Sequence, residues 1–486
     1  MLKSLARSDA RMLRDFFSQA AYGPELILRD PVLRDLKVRR AGPVPRLFES
    51  EREPSTANLL LAWFYLGEPA GREAVERLIP PEILALLLET GMLIHCGGEW
   101  APTIMLTPQD RFLFASDNAT RWQSHASDVV IWPNPTSQLL DRFTIRRPAG
   151  AALDLGAGCG IQAILAAQHC RDVTATDLNP RAQEFTRFNA WLNGVENVEC
   201  LTGDTFAPVE NRRFDLILAN LPFFVTPSCD RLYCENRMNL DGYCRRTVQD
   251  AAMHLNEGGW AQMTLEWVEV RDQAWQERLQ EWVSGIGCDV LVLHSYMRPA
   301  YAYARERIEQ GPAGVADAET LARWLDHYAQ SGVERIHGGV MALRRRSASN
   351  WFRIEEMPPG ASQAFGDSVL SLFACTDFMR SSAADSDLLA AHLRLAPEAR
   401  LEEQSQMAGG RWERTGLTLR LTSGLMGSIR IDRLVADLLV RLNGRQSFAD
   451  VIASFAPSVP ADRRTVLSDC LAVARRLIER RFLVPG

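Results

Sequence analysis

The stretch AALDLGAGCG, residues 151–160, decides the fold. Four apolar residues and one carboxylate run into three glycines at every second position, and IQAILAAQHC follows. An apolar run that ends in glycines before a second apolar segment reads as a buried strand, a tight turn and a helix. Glycines let the backbone pass close beneath a ligand in conformations that a side chain forbids. The helix behind them aims its first amide groups at that ligand. Dinucleotide binders space their glycines G-x-G-x-x-G. Here Gly156, Gly158 and Gly160 alternate, with Asp154 two residues before the first.

Outward from this turn, strands and helices alternate. DVTATDLN (172–179), NVECLTGD (197–204) and RFDLILAN (213–220) read as strands, and PRAQEFTRFNAWLNG (180–194) as a helix stopped by glycine. TVQDAAMHLNEGG (247–259) and DQAWQERLQEWVSGIG (272–287) read as further helices, with strands at 260–270 and 288–297. After an insert containing AETLARWLDHYAQSG (318–332), HGGVMALRRR (337–346) closes the series. Such alternation is the pattern of a doubly wound α/β sheet. Asp177 and Asp204 stand at the ends of the second and third strands, on the carboxyl edge where this architecture binds ligands. A carboxylate at 177 can take both hydroxyls of a ribose, and one at 204 can accept from an adenine amino group.

On these residues the chain resembles the class I S-adenosylmethionine-dependent methyltransferases. Within them it is similar to the small-domain N-methyltransferase branch, which includes release-factor glutamine and ribosomal-RNA guanine methyltransferases. The resemblance covers roughly residues 128–358 and implies a mostly parallel, seven-stranded, Rossmann-like sheet. It also implies S-adenosyl-L-methionine as cofactor, on the loop Asp154, Gly156, Ala157, Gly158 and Gly160. Asp177 with Leu178 would serve the ribose, and Asp204 with Thr205 the adenine. WPNPTSQLL (132–140) looks like the Pro/Thr segment that precedes the core in this branch, which places Thr136 near the cofactor.

FDLILANLPFFVTP (214–227) ends its strand in an amide, a prolyl bond and two aromatic rings. The branch has Asn-Pro-Pro-Tyr/Phe where this chain has Asn220, Leu221, Pro222 and Phe223. A conjugated nitrogen is a poor nucleophile until its hydrogens are drawn out of plane and it is held in line with the methyl donor. Asn220 can accept one hydrogen, and the resemblance assigns the other to the Leu221 carbonyl. Pro222 biases Leu221 toward extended backbone, and Phe223 offers a ring face to a planar acceptor or a cationic donor. That is catalysis by positioning and charge placement. Leu221 in place of proline keeps the carbonyl and gives up rigidity.

The flanks are less explicit. Residues 55–108 read as helix, helix and strand, a small winged-helix-like domain that either reads nucleic acid or serves packing. EEMPPGASQ (355–363) reads as a linker, and helices with a terminal strand beyond it suggest a second domain of that kind. The expected domains are 1–127, 128–358 and 359–486. Arg344, Arg345 and Arg346, beside Trp351 and Phe352, suit either a phosphate contact or a solvated strand end.

At 486 residues the chain exceeds a single core. Its 47% hydrophobic and 23% charged residues are ordinary for a globular protein, and its net charge of −6 argues against a nucleic-acid coat. The amphipathic start lacks a signal-peptide core, and no stretch reaches the roughly 18 apolar residues of a membrane span. A cytoplasmic protein with no membrane partner is therefore expected. Ten cysteines lack zinc-like spacing, including the cluster Cys229, Cys234 and Cys244, so no metal is expected and reduced thiols are. The expected function is S-adenosylmethionine-dependent, translation-related N-methylation of a macromolecule: a protein glutamine or asparagine amide, or an RNA or DNA base amine. The alternative is an inactive methyltransferase fold that binds nucleic acid or protein through its ends. Oligomeric state is not written in the sequence.

Overall fold

The structure, a computed structural model, describes residues 2–28, 55–124, 126–227, 231, 232, 234–236, 238–311, 316–358 and 363–486. Cys229 lies outside them. Where the sequence suggests three domains, contacts group the chain into two compact units, Met1–Asp141 with Arg147–Glu356, and Arg142–Arg146 with Met357–Gly486.

The first unit begins with the helix Arg7–Gln19 and, from Thr56, a helical segment to Leu66 that ends on left-handed Gly67. Strand β1 (Ala70–Gly71), helices Arg72–Leu78 and Pro81–Glu89, and strands β2 (Leu93–Cys96) and β3 (Glu99–Pro102) follow. These strands form a small sheet of order β1-β3-β2, and β4 (Ile104–Gln109) pairs with β5 (Phe112–Asp117) as a hairpin. The N-terminal elements do not close a core of their own. Leu13, Phe17, Trp63 and Phe64 join Ile164, Phe185 and Phe188 in one buried cluster, so the described N-terminal helices pack directly on helices Ile161–Ala166 and Pro180–Asn193.

The central sheet contains β6 (Ala149–Leu155), β7 (Cys170–Asp177), β8 (Val198–Thr202), β9 (Phe214–Asn220), β10 (Leu255–Val270), β11 (Cys288–Pro299), β12 (Val333–Arg345) and β13 (Phe352–Glu356). Among the described residues its order is β13-β11-β12-β10-β9-β6-β7-β8. Only β12 runs antiparallel to its neighbours. The sheet is thus the expected doubly wound one with eight strands rather than seven. The addition is β13, laid parallel to β11 at the edge. Its other face is closed by helices Gly242–Met253 and Trp275–Trp282, burying Val248, Leu279 and Trp282 against Leu265 and Trp267. The arginine run is absorbed structurally. Arg344 Nη2 lies 2.6 Å from the buried Asp289 carboxylate, Arg346 also faces it, and Arg345 donates to the Ile286 carbonyl. Trp351 is buried and donates its amide to Asp289, so it is no exposed stacking platform.

In the second unit, β14 (His392–Leu395), β15 (Ala399–Ala408), β16 (Arg411–Leu421), β17 (Gly427–Ile431), β18 (Asn443–Ser447) and β19 (Leu483–Pro485) form two three-stranded sheets, β18-β14-β19 and β15-β16-β17. Helices Phe448–Phe455 and Arg463–Glu479 bury Val451, Phe455, Leu471 and Ile478 over them. The helices and terminal strand agree with the sequence pattern, and the β15–β17 meander is an element that pattern left unread. No helix among the described residues is long and apolar enough to cross a membrane. Seven of the nine described cysteines are buried.

Asn189, fully buried, joins the N-terminal elements to the sheet. Its amide donates to the Ala115 and Cys159 carbonyls at 2.9 and 2.8 Å and its oxygen accepts from the Ala115 amide at 2.8 Å. Asn189→Ala leaves a buried donor and two buried acceptors unmatched and is expected to cost about 3 kcal/mol. Urea unfolding of the full chain, followed by circular dichroism, measures it.

Candidate functional site

The turn after β6 is held from beneath. The amides of Gly156 and Ala157 donate to the Thr176 carbonyl at 2.9 and 3.0 Å. The three glycines have φ of +73°, +57° and +78°, the left-handed region that glycine enters freely. Their reasons differ. A Cβ on Gly160 would lie 2.8 Å from the Thr186 side chain, so Gly160 is needed for packing against the next helix. A Cβ on Gly156 or Gly158 would meet nothing within 4 Å and would project into open space. That space is a cavity of about 450 Å³.

Five carboxylates line it, Asp154, Asp177, Asp204, Glu235 and Asp250. Asp177 Oδ2 accepts from the Gly158 amide at 2.9 Å and Oδ1 from the Asn179 amide at 2.8 Å. Asp154 Oδ2 accepts from the Ala163 amide at 2.8 Å. Asp204 and Thr205 follow β8, and Thr205 holds a left-handed φ of +46°, a strain that clusters at binding sites. Ala157, Leu178, Asn220 and Pro222 complete this wall. Burial pushes the Asp154 carboxyl up to about 7, against the Ala163 amide, and the charge of Asp177 adds to the rise. Burial also raises Asp177, partly offset by its two backbone donors. The site holds a buried acid, Asp154, beside a half-buried one, Asp177, an arrangement that favours a cation.

Another wall is the segment 129–134, of which the sequence reading singled out only the last three residues, in WPNPTSQLL. Arg181 donates to both oxygens of Asp117 at 2.6 and 2.7 Å, and the Val130 amide donates to Asp117 at 2.8 Å. Asn179 Nδ2 donates to the Asp128 carbonyl at 2.8 Å. The segment is thereby pinned over the cavity from the turn that carries Asp177.

A second cavity, about 470 Å³, lies beyond Asn220. Trp122, Trp132, Phe223 and Phe224 give it aromatic walls, and Tyr296 and Arg307 line it as well. Ile131, Trp132, Asn134 and Asn220 border both cavities. The Asn220 oxygen accepts from Thr264 Oγ at 2.7 Å across paired β9 and β10, which holds the side chain at the end of the strand.

The structure therefore brings most of the expected residues together and moves some. Thr136 lines the second cavity, while its neighbour Ser137 lines the first, because successive residues of one helical turn face different ways. Gly160 lies behind the cradle. Leu221 and Phe223 are 3% and 9% exposed and belong to the core beneath the sheet edge, so Phe223 offers the second cavity a rim rather than a free face. Thr264 escaped the sequence reading although a signal existed: Gln262, Thr264 and Glu266 alternate as polar residues among the apolar residues of the 261–268 stretch, and all three are buried.

Residues 134–284 match the family model described as the methyltransferase small domain. The chain carries a methyltransferase small domain. Residues 371–485 match a domain of unknown function (DUF7782). The methyltransferase segment is 31% identical over 151 residues to a release factor glutamine methyltransferase of Geobacter sulfurreducens, covering 28% of this chain and 53% of that one. It is 35% identical over 123 residues to the ribosomal protein uL3 glutamine methyltransferase of Bradyrhizobium diazoefficiens (22% and 38%). It is 30% identical over 155 residues to the electron transfer flavoprotein beta subunit lysine methyltransferase of Mus musculus (30% and 59%). The chain thus spans about half the length of the curated relatives it matches.

The cofactor of this class is S-adenosylmethionine, and the residues fit it. Gly156 and Gly158 leave a cradle that a side chain would fill, and the buried Asp154 and half-buried Asp177 stand beside it. The pH dependence follows. Asp154, raised above its unfolded value of 3.8, makes the unliganded fold less stable as pH climbs from about 4 to about 7, by about 4 kcal/mol in all. A cationic ligand favours the ionised form. S-adenosylmethionine affinity is therefore expected to rise with pH up to about 7, by as much as about tenfold per unit, and to level off above it. Calorimetric titrations between pH 5.5 and 8.5 measure this.

Proposed function

We propose that the protein is an S-adenosylmethionine-dependent N-methyltransferase whose acceptor is a planar nitrogen of a macromolecule, foremost a protein glutamine amide. The observation that carries this is Asn220, the amide bordering both the glycine-floored cavity and the aromatic one. Bound S-adenosylmethionine would supply an electrophilic methyl group, held by Gly156, Gly158, Asp177 and Asp204. On the acceptor side, Thr264 occupies one lone pair of the Asn220 oxygen and leaves the second free to draw a hydrogen from an incoming amide. The Leu221 carbonyl is the candidate for the other hydrogen. Trp132 and Trp122, with ring centroids 6.4 Å apart, offer apolar surface to a planar group. No covalent enzyme intermediate is required, since orientation and charge placement provide the rate.

The glutamine amide is favoured by two relatives whose names state glutamine methylation. The lysine methyltransferase among the relatives accepts on a nitrogen with no conjugated plane to distort, which the Asn220 arrangement does not require.

Calorimetry should detect S-adenosylmethionine on the wild type and a loss of roughly a hundredfold in Asp177→Ala, which removes two charge-assisted hydrogen bonds from the turn. Asn220→Ala should bind the cofactor within about twofold of wild type while methyl transfer drops about 100- to 1,000-fold. Transfer is read as label from S-adenosylmethionine entering a cell lysate. Protease-sensitive, ribonuclease-resistant label is expected, and ribonuclease-sensitive label would move the acceptor to a nucleobase. A wild type that binds no cofactor at near-millimolar concentration would overturn the proposal.

A further inference from the structure

The chain carries leucine at 221 where the branch it resembles has the first of its two prolines, yet the segment that follows is clamped by groups from outside the glycine-turn region. Val225, fully buried, donates its amide to the Tyr303 hydroxyl at 3.2 Å, and its carbonyl accepts from the Tyr328 hydroxyl at 2.7 Å. Both backbone groups of one loop residue are thus held by side chains of two insert helices, Ala300–Glu309 and Ala318–Gln330. Tyr303 in turn donates to Glu266, a carboxylate with no exposed surface, which also accepts from Tyr296 and, at 2.5 Å, from Arg307. The Arg307 guanidinium lies 4.1 Å from the ring centroid of Phe224, a stacking that holds the residue before Val225.

Glu266 stands two residues beyond Thr264 on β10 and therefore on the same face. Thr264 fixes the Asn220 side chain, and Glu266 fixes, through Tyr303 and Arg307, the backbone five residues later. One strand sets both ends of the segment from Asn220 to Val225.

We infer that Glu266, Tyr303, Tyr328 and Arg307 are positioning residues that give the 220–225 loop the stiffness a proline at 221 would otherwise give it. The inference rests on the methyltransferase reading for its purpose, and on the hydrogen bonds alone for its mechanics. Proline stiffens by fixing one backbone torsion. The clamp achieves the same end by tying down the loop's far end, which lets position 221 carry a leucine that buries itself in the core. It also makes loop order depend on the insert helices.

Hydrogen exchange read by mass spectrometry on the full chain tests this. Tyr328→Phe removes one hydroxyl and preserves shape. It should speed exchange of the Phe223, Phe224 and Val225 amides by roughly tenfold, the upper range of one lost hydrogen bond, while the β6 amides and S-adenosylmethionine affinity stay as in wild type. Arg307→Lys, which keeps the charge and loses the planar stack, should speed the same amides. Adding Leu221→Pro to Tyr328→Phe should bring exchange back to within about twofold of wild type. Unchanged exchange in Tyr328→Phe, an increase shared equally by β6, or a double variant that stays fast would each overturn the inference. Failure of the wild type to bind S-adenosylmethionine would instead strike the functional reading and leave the exchange result standing.

Discussion

The hydrogen bond from Thr264 to Asn220 is the constraint around which the first unit is organised. It crosses between two parallel strands at the point where one of them stops. Below that point the ladder needs only apolar side chains, and Ile217 to Ala219 supply them. At that point an amide must stand between two cavities with its oxygen turned one way. The Thr264 hydroxyl, donating to the Asn220 oxygen, holds that side chain at the sheet edge, and the buried strand that carries the threonine gives up apolar contact in return.

Electrostatics complement this geometry. Asp154 is buried and Asp177 half-buried, both are raised, and each is met by backbone amides rather than by a lysine or arginine. A fold that merely needed to end two strands would have no use for adjacent acids with no cationic side chain bonded to them. Their cost in the unliganded state is balanced only when positive charge arrives, which ties the stability of the glycine turn to ligand. The aromatic cavity is of the opposite character. Its formal charges are neutralised in place, Arg307 by Glu266 and Arg231 by Glu235, so selection there rests on shape and ring surface.

Much of the sheet was legible because its signals are local. Gly156 to Gly160, Asp177 and Asp204 lie at strand ends that an apolar run announces, and the turn chemistry that follows each is fixed within a few residues. What escaped reading depends on distant partners. β13 has five residues, four of them only half-buried, and exists because β11 offers a free edge. The meander β15–β17 is largely exposed in β15 and the first half of β16, so no strong alternation of burial marks it. The join between the N-terminal elements and the sheet runs through Asn189 and Arg181, polar residues of one helix whose partners lie 74 and 64 positions away. The placement of Thr136 and Phe223 turned on which way a side chain faces, and sequence fixes that only to within a helical turn or a loop. The alternating Gln262, Thr264 and Glu266 were a readable anomaly in a buried strand. Their meaning required knowing that β10 lies beside β9.

The central claim is that the amide at the end of β9 stands where a methyl group passes from one cavity to the other. A crystal structure of the protein with S-adenosylmethionine bound tests it most directly. The account predicts the ligand on the Gly156–Gly158 cradle with its sulfonium methyl facing the aromatic cavity beside the Asn220 side chain. A ligand bound elsewhere, or a methyl group directed away from Asn220, would contradict it.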